Sequence, residues 1–289
     1  MAKTAPEAFE TFNSNLIPSD TERDKAASHR QTIYDKLSAE YGLYKMFQSG
    51  SFAHGTGIAG HSDVDYFVSL KTDRPSSSDT ILSSVRNTLQ ERFPTTDIHV
   101  SRPAVVLEFG QGYERVEVIP AYAYNEVDDG MKYKIPSVVP TEWMESTPKA
   151  HLKYVNGSDI NVPAGSTKRL IRLAKAWKYY CNVPISSFYL EMRAAAYMRE
   201  QQSYIPWLDI YYFLKRLDNG KLAAMNDPTG STGRIYACST TPKAEEALSK
   251  LSSALGRAEK AKDYLEAGYT RDAFDEWDKL FNGKFPAFY

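Results

Sequence analysis

Residues 47–70 read FQSGSFAHGTGIAGHSDVDYFVSL, in which a glycine-rich turn leads directly into two aspartates and a run of apolar residues. The apolar run predicts a buried β-strand over Asp63–Leu70. Because side chains alternate along a strand, Asp63 and Asp65 should project from one face while the apolar residues beside them face a core. The stretch therefore predicts a strand that carries two carboxylates at the end nearest a flexible turn.

Two like charges beside a core are costly unless something compensates them. Mg²⁺ would do so, since it binds one or two carboxylates together with phosphate oxygens and water. In the turn, Gly50 allows backbone N–H groups to approach a phosphate closely, and Ser51 adds a hydroxyl donor. An isolated Asp-x-Asp is also typical of a solvated strand end with two surface aspartates. The turn and the carboxylate pair together favour phosphoryl chemistry.

Two-metal phosphoryl transfer favours a third acid. Glu117 lies in RVEVIPAY, between two valines. A carboxylate in such an apolar strand is costly to bury unless it has a partner or a function. Glu108 in VVLEF and Glu114 near the preceding turn are rivals, and a surface-facing side chain is the alternative for all three. The residues alone leave this choice open.

The chain changes character along its length. SDTE at 19–22 resembles a capping box, which predicts a helix to about Tyr41 that Gly42 ends. Helical spacing marks 76–93, and residues 104–110 and 113–122 predict a hairpin around Gly110-Gln111-Gly112. Residues 123–165 are rich in turns and give no clear elements. Helical patterns then follow at Lys168–Tyr180, Ser187–Glu200, Trp207–Leu217, Lys243–Ala267 and Asp272–Phe281. An α/β first half is thus predicted to join a helical second half near 150–166.

Composition limits the classes of partner. The 289 residues carry a formal net charge of -1, which disfavours long nucleic acid but is compatible with a compact anionic ligand. Two cysteines supply neither a disulfide framework nor a metal-ligand set. No apolar stretch has the roughly 18 residues that a membrane span needs, and the N-terminus lacks a secretory signal. A cytoplasmic protein is expected.

Several motifs resemble one family. GSFAHGT…SDVDYFV resembles the Gly-Ser…Asp-x-Asp signature of the DNA polymerase β-like nucleotidyltransferases, and more specifically the bacterial CD-NTases of the SMODS type, relatives of cyclic GMP-AMP synthase and the oligoadenylate synthetases. VEVIPAY resembles the strand that bears the family's third metal-binding acid, which selects Glu117. RLIRLAKAWKYYCNVPISSFYLEMRAAAY resembles the signature of the family's helical part. The resemblance spans roughly 47–197.

The resemblance implies a fold. It predicts an α/β N-terminal nucleotidyltransferase lobe with a mixed sheet and an N-terminal spine helix, residues 1–160. An all-helical C-terminal lobe, residues 161–289, would close the active-site cleft.

The resemblance also implies site residues. Gly50 and Ser51 would bind donor phosphates. The catalytic acids that hold two Mg²⁺ ions, with Mn²⁺ as an alternative, would be Asp63, Asp65 and Glu117. In the helical lobe the nucleotide-binding residues would be Lys175, Ser187 and Phe188, which contact the triphosphate, the phosphates and a base. The alternatives are that Lys175 is a surface lysine on an amphipathic helix, which composition alone favours, and that Phe188 is a core residue.

The implied reaction is condensation of NTPs, including ATP, into a cyclic di- or trinucleotide. By resemblance this product is a second messenger of CBASS-type anti-phage defence that acts on a downstream effector, and no regulatory protein is identified. Two alternatives use the same fold, a linear oligoadenylate synthetase and an RNA-end nucleotidyltransferase. A non-catalytic nucleotide-binding module is an alternative of another class.

Overall fold

The structure, a computed structural model, describes residues 2–20, 24, 29–61, 63–110, 114–127, 130–231 and 233–289. It divides into two compact units, Pro18–Lys153 and a second unit that joins Met1–Ile17 to Tyr154–Tyr289. The first 17 residues therefore group with the C-terminal part of the chain. The domain division at residue 160 stays a prediction.

The first unit, called the sheet unit here, contains most of the strands. Its elements are α2 (Arg30–Tyr41), β1 (Leu43–Ser49), α3 (Gly50–His54), β2 (Val64–Leu70), α4 (Ser78–Arg92), β3 (Asp97–Ser101), β4 (Ala104–Phe109), β5 (Glu114–Val127), β6 (Gly130–Pro136), β7 (Trp143–Ser146) and α5 (Pro148–Asn156). The last of these, α5, runs three residues past the boundary at Lys153.

Within the described residues, seven strands form one sheet in the order β1-β2-β5-β4-β3, and β6 pairs with both β5 and β7. Strand β2 runs parallel to β5, whereas the other pairs are antiparallel. The mixed sheet confirms the predicted fold class. Because β2 and β5 are parallel, the chain must cross over between them, and α4, β3 and β4 form that connection.

The main core covers one face of the sheet. Val64, Tyr66 and Val68 of β2 are buried there with residues of α2 and α4, as the alternation predicts. Helix α4 buries apolar side chains at helical spacing, while Gly42 ends α2 with a φ of 60°. The predicted capping box includes Glu22, which lies outside the described residues. A smaller cluster that includes Phe67 and Tyr133 lies on the other face.

The turn-rich segment 123–165 contains regular structure that the sequence analysis did not assign. Strand β5 continues to Val127, and β6, β7 and α5 follow it. Prolines stand at the boundaries of these elements: Pro136 ends β6 and Pro148 begins α5. Prolines at element ends are compatible with regular structure, so their number was a poor guide to loops here.

The second unit, called the helical unit here, is built on helices α1 (Ala5–Leu16), α6 (Ser166–Tyr180), α7 (Ser187–Met198), α8 (Pro206–Asn219), α9 (Thr241–Glu266) and α10 (Thr270–Leu280), with short strands β8 (Met225–Asn226) and β9 (Arg234–Ile235). Phe9 of α1 packs edge-on against Trp277 of α10 and against Phe285, with ring centroids 5.0 and 4.9 Å apart. This aromatic contact holds the N-terminal helix to the C-terminal end of the chain. None of the described helices has the length and apolar character needed to cross a bilayer.

Candidate active site

The predicted acids of the sheet unit lie on neighbouring strands. Asp65 is the second residue of β2, and its register partner on parallel β5 is Glu117. Register partners on adjacent strands project from the same face. The sheet therefore places Asp65 beside Glu117 near the N-terminal end of β2, and Asp63 lies just before that strand.

The glycine-rich turn lies directly against Asp65. Gly50 has a φ of 62°, in the left-handed region, and a methyl carbon built on it would lie 2.6 Å from the carboxylate carbon of Asp65. No side chain fits there without displacing the carboxylate. Ser49 comes just before Gly50 and is the register partner of Asp65 on β1. The position thus requires glycine for both its backbone angle and its contact.

Ser51 is the second residue of the short helix α3, which Gly50 begins. The Thr56 N–H donates to the Ser51 carbonyl oxygen at 2.9 Å, and Gly55 ends α3 with a φ of 67°. His54, the last residue of α3, is buried. The Gly50-Ser51 backbone is therefore held beside the carboxylates by its own local hydrogen bonds.

A residue that the sequence analysis did not consider links the acids. The Arg115 Nη2 is 2.8 Å from Glu117 Oε1, its Nε is 3.2 Å from Asp63 Oδ2, and its Nη1 is 2.9 Å from Glu108 Oε1. One guanidinium thus contacts three carboxylates from three segments of the chain. The signal in the sequence was the Arg-Val-Glu spacing, which places Arg115 and Glu117 on one face of β5.

The surrounding charges act on Arg115. Partial burial works against its charged form, but the hydrogen bond to Glu117 and the charges of Asp63, Glu117 and Glu108 outweigh that effect and raise the pKa of Arg115. The arginine therefore stays positive and offsets part of the negative charge of the acids.

The two rivals of Glu117 have other neighbours. Glu114 Oε2 lies 3.4 Å from His29 Nε2. Glu108 is on β4, which β5 separates from β2 in the sheet, and its register partner is Arg115. Only Glu117 of these three is directly beside Asp65 on the adjacent strand, so the register favours Glu117 as the third acid.

The chemistry of this donor set fits a divalent metal. Three carboxylates from adjacent strands supply the oxygen ligands that Mg²⁺ and Mn²⁺ prefer. In the part of the chain that the structure describes, no three His, Cys, Asp or Glu side chains are grouped closely enough to hold a metal ion as they stand. In this arrangement the guanidinium of Arg115 forms ion pairs with carboxylate oxygens of Asp63 and Glu117.

In the helical unit, Lys175 is buried. It is 1% exposed on α6, and its ammonium group bonds the carboxylate of Glu191 on α7, which is also buried. The alternative of a surface lysine is therefore wrong. Trp177, two residues on, is buried as well.

A different lysine contacts Ser187. The Lys178 ammonium donates to Ser187 Oγ, and Tyr179 Oη lies 3.2 Å from the same oxygen. These side chains are half-buried, and so is Phe188, the next residue of α7. The structure thus brings Lys178, rather than Lys175, to the predicted phosphate-binding serine.

Comparison with known protein families gives one decisive match. Residues 3–159 match the family model described as Second Messenger Oligonucleotide or Dinucleotide Synthetase domain, which covers more than half of the chain. The chain belongs to this family. It is a nucleotidyltransferase, as the sequence resemblance to the CD-NTases predicted.

Solved structures of CD-NTases have the same fold. A structure of Escherichia coli MS115-1 CdnC with ATP has a TM-score of 0.76 at 17% identity, covering 97% of this chain and 98% of that one. For CdnG of Bradyrhizobium diazoefficiens, solved with GTP, the TM-score is 0.75 at 11% identity, with 96% of both chains covered.

The Vibrio cholerae cyclic AMP-GMP synthase DncV, solved with the linear intermediate 5′ pppA(3′,5′)pG, has a TM-score of 0.67 at 15% identity, covering 99% of this chain and 82% of that one. A search of the curated proteins gives no match. Dependence on a divalent metal is general among CD-NTases, and the adjacent carboxylates of Asp65 and Glu117 are consistent with it.

Proposed function

We propose that the protein is a Mg²⁺-dependent synthase that condenses NTPs, including ATP, into a cyclic di- or trinucleotide messenger for anti-phage signalling of the CBASS type. The observation that carries the proposal is the register pair Asp65 and Glu117, which lies with Asp63 beneath the Gly50 turn in a chain of the synthetase family. The reaction is placed in the cytoplasm, where NTPs are made.

Each part of the sheet unit has a role in this proposal. The backbone of Gly50 and the Ser51 hydroxyl hold the donor triphosphate beside the carboxylates. Asp63, Asp65 and Glu117 hold two Mg²⁺ ions, with Mn²⁺ as an alternative; when bound, the metal supplies charge stabilisation at the reacting phosphate. A ribose hydroxyl of the acceptor attacks the α-phosphorus of the donor, a phosphodiester bond forms, and the bond to pyrophosphate breaks. The acids and the turn contribute by positioning these groups.

The helical unit contributes nucleotide contacts in this proposal. By resemblance, Lys175 and Ser187 bind phosphates and Phe188 stacks on a base. The Lys178 contact to Ser187 supports a cation at the serine. The burial of Lys175 against Glu191 supports a structural role for Lys175 in addition.

Partners are proposed from the chemistry and from the neighbours. ATP and GTP are present in the structures of the Escherichia coli and Bradyrhizobium neighbours, and both nucleotides are proposed as substrates here. The Escherichia coli CdnC has also been solved in complex with HORMA-deltaN. No regulator is assigned to this chain, and its effector would respond to the released product.

The test is an assay of the purified protein with Mg²⁺ and all four NTPs, followed by mass analysis of the products. We expect nucleotide condensation that Asp63→Asn or Asp65→Asn lowers by at least about 10²–10³-fold, because each change removes a charged ligand without removing core volume. Asp97→Asn changes an exposed carboxylate on β3 and serves as the matched control. Equal turnover in the wild type and in the variant that combines Asp63→Asn with Asp65→Asn would rule out this catalytic site. An absence of any product from the wild type would favour a non-catalytic nucleotide-binding module.

A further inference from the structure

Arg115 is the residue of the candidate site that the proposed reaction does not use. We propose that its guanidinium is an internal counter-cation, which holds Asp63 and Glu117 in the metal-free protein and moves off both carboxylates when a divalent cation binds. The inference rests on the proposed function in taking these two acids as metal ligands.

The contacts imply direct competition. Nε and Nη2 of Arg115 both bond Glu117 Oε1, at 3.2 and 2.8 Å, while Nε is also 3.2 Å from Asp63 Oδ2. A Mg²⁺ ion needs carboxylate oxygens at about 2.0–2.1 Å in near-octahedral geometry. The lone pairs and the space that the guanidinium occupies are those that an ion shared by Asp63 and Glu117 would need.

Glu108 gives the displaced arginine a place to remain. Its Oε1 accepts from Arg115 Nη1 at 2.9 Å, and it is the register partner of Arg115 on β4, the side of β5 away from β2. Arg115 can therefore release Asp63 and Glu117 without losing every carboxylate partner. This explains why a partly buried acid lies in the apolar strand β4, and it makes Glu108 a positioning residue for Arg115.

The effect of removing the arginine has a clear sign. Arg115→Gln takes away the competing cation, so the acids bind a divalent ion more readily. Partly exposed ion pairs contribute about 0.2–1 kcal/mol each, so the loss of two such pairs corresponds to a roughly two- to thirtyfold lower cation midpoint. The same variant loses stability when no metal is present, because the acids then repel one another.

The experiment measures cation binding in the absence of nucleotide. Mn²⁺ is titrated into the 289-residue chain while free Mn²⁺ is followed by electron paramagnetic resonance, and Mg²⁺ is titrated while the Tm is recorded. We expect the midpoint of Arg115→Gln to fall roughly two- to thirtyfold. Arg115→Lys should give a midpoint between that of Arg115→Gln and the wild type, because an ammonium bonds fewer carboxylates at once.

The matched control is Arg86→Gln, which removes the same charge from the same unit. Arg86 Nε donates to the Ile98 carbonyl oxygen at 3.0 Å. The cation midpoint of Arg86→Gln should equal that of the wild type. An unchanged midpoint in Arg115→Gln would overturn the proposal, and a higher midpoint would do so too, since Arg115 would then be organising the carboxylates for the metal. If Arg115→Gln does not fold without metal, the comparison of Arg115→Lys with the wild type decides: the proposal requires a lower cation midpoint in Arg115→Lys.

A separate product assay distinguishes the two proposals. If the wild type makes nucleotide products but the Arg115 variants bind cations as the wild type does, the counter-cation role of Arg115 is wrong and the proposed synthase function is supported. If the midpoint shifts as expected but no nucleotide is condensed, the counter-cation stands and the proposed function fails.

Discussion

Gly50 shows at the scale of one residue how closely the turn and the acids are fitted. Gly50→Ala should displace the Asp65 carboxylate, because the new methyl group would occupy its position. We expect condensation of NTPs to be lost, together with about 1–2 kcal/mol of stability from the strained backbone angle. Product formation and urea unfolding measure the two effects separately.

Gly60→Ala is the matched control for this prediction. Gly60 also has a positive φ, 71°, but a methyl group there would meet nothing within 4 Å. It should lose similar stability and keep its activity. If both variants are equally active, the contact between Gly50 and Asp65 has no role in the reaction.

At the scale of elements, strand β5 carries both the third acid and the arginine. Glu117→Gln should cripple condensation, because it removes a charged oxygen ligand beside Asp65. The thermal unfolding midpoint should change little, since Arg115 keeps Asp63 and Glu108 as partners and partly exposed ion pairs contribute little. Glu114→Gln alters an acid near the start of the same strand and should leave the rate unchanged. An inactive Glu114→Gln with an active Glu117→Gln would reverse the assignment.

Helix α6 separates two lysines with different environments. Lys175→Ala should lower the free energy of unfolding by about 3–5 kcal/mol, because it leaves the buried Glu191 without its cation. Lys178→Ala removes a half-buried cation from Ser187, so we expect weaker triphosphate binding with little loss of stability. Denaturant unfolding and ATP affinity measured on both variants check the distinction. The reverse result, a stable Lys175→Ala that no longer binds ATP, would show that phosphate binding, and not the pairing with Glu191, is the main role of Lys175.

The sequence predicted elements well where one periodicity dominates. The apolar spacing in 76–93 predicted α4, and the β4-β5 hairpin followed from two apolar runs around glycines. Prediction from the sequence failed in 123–165, where the many prolines suggested loops although the segment contains two strands and a helix. The acids could be predicted because residue type and spacing suffice, whereas the contacts of Arg115 depend on the pairing of β4 with β5, which spacing within one strand does not define.

At the scale of the whole molecule, the charge balance bears on which product we expect. The chain carries 35 basic and 36 acidic residues, so it offers little electrostatic hold on a long polyanion. If a linear intermediate stays bound, the second bond forms at the high effective concentration that proximity provides. We therefore expect cyclic products of two or three nucleotides that resist phosphatase, as judged by mass before and after phosphatase treatment. A ladder of phosphatase-sensitive linear products would instead indicate an oligoadenylate-type synthetase.

The division of the chain into two units was the feature that was hardest to predict from the sequence. The aromatic contacts of α1 with α10 and Phe285 link residues more than 250 positions apart, and no local pattern predicts such a contact. The helical character of the C-terminal half was predictable, because each helix has its own periodicity.

This division also has a consequence for how the protein is made on the ribosome. Helix α1 is translated before the sheet unit, whereas the aromatic partners of its Phe9 are translated after that unit, at Trp207, Trp277 and Phe285. At about 5–20 residues per second, Phe9 is synthesised on the order of tens of seconds before Trp277 and Phe285. The sheet unit is contiguous, so it can fold during that time. Phe9 therefore stays without these aromatic partners while the sheet unit is synthesised, and chaperones that bind exposed aromatic segments would meet it there.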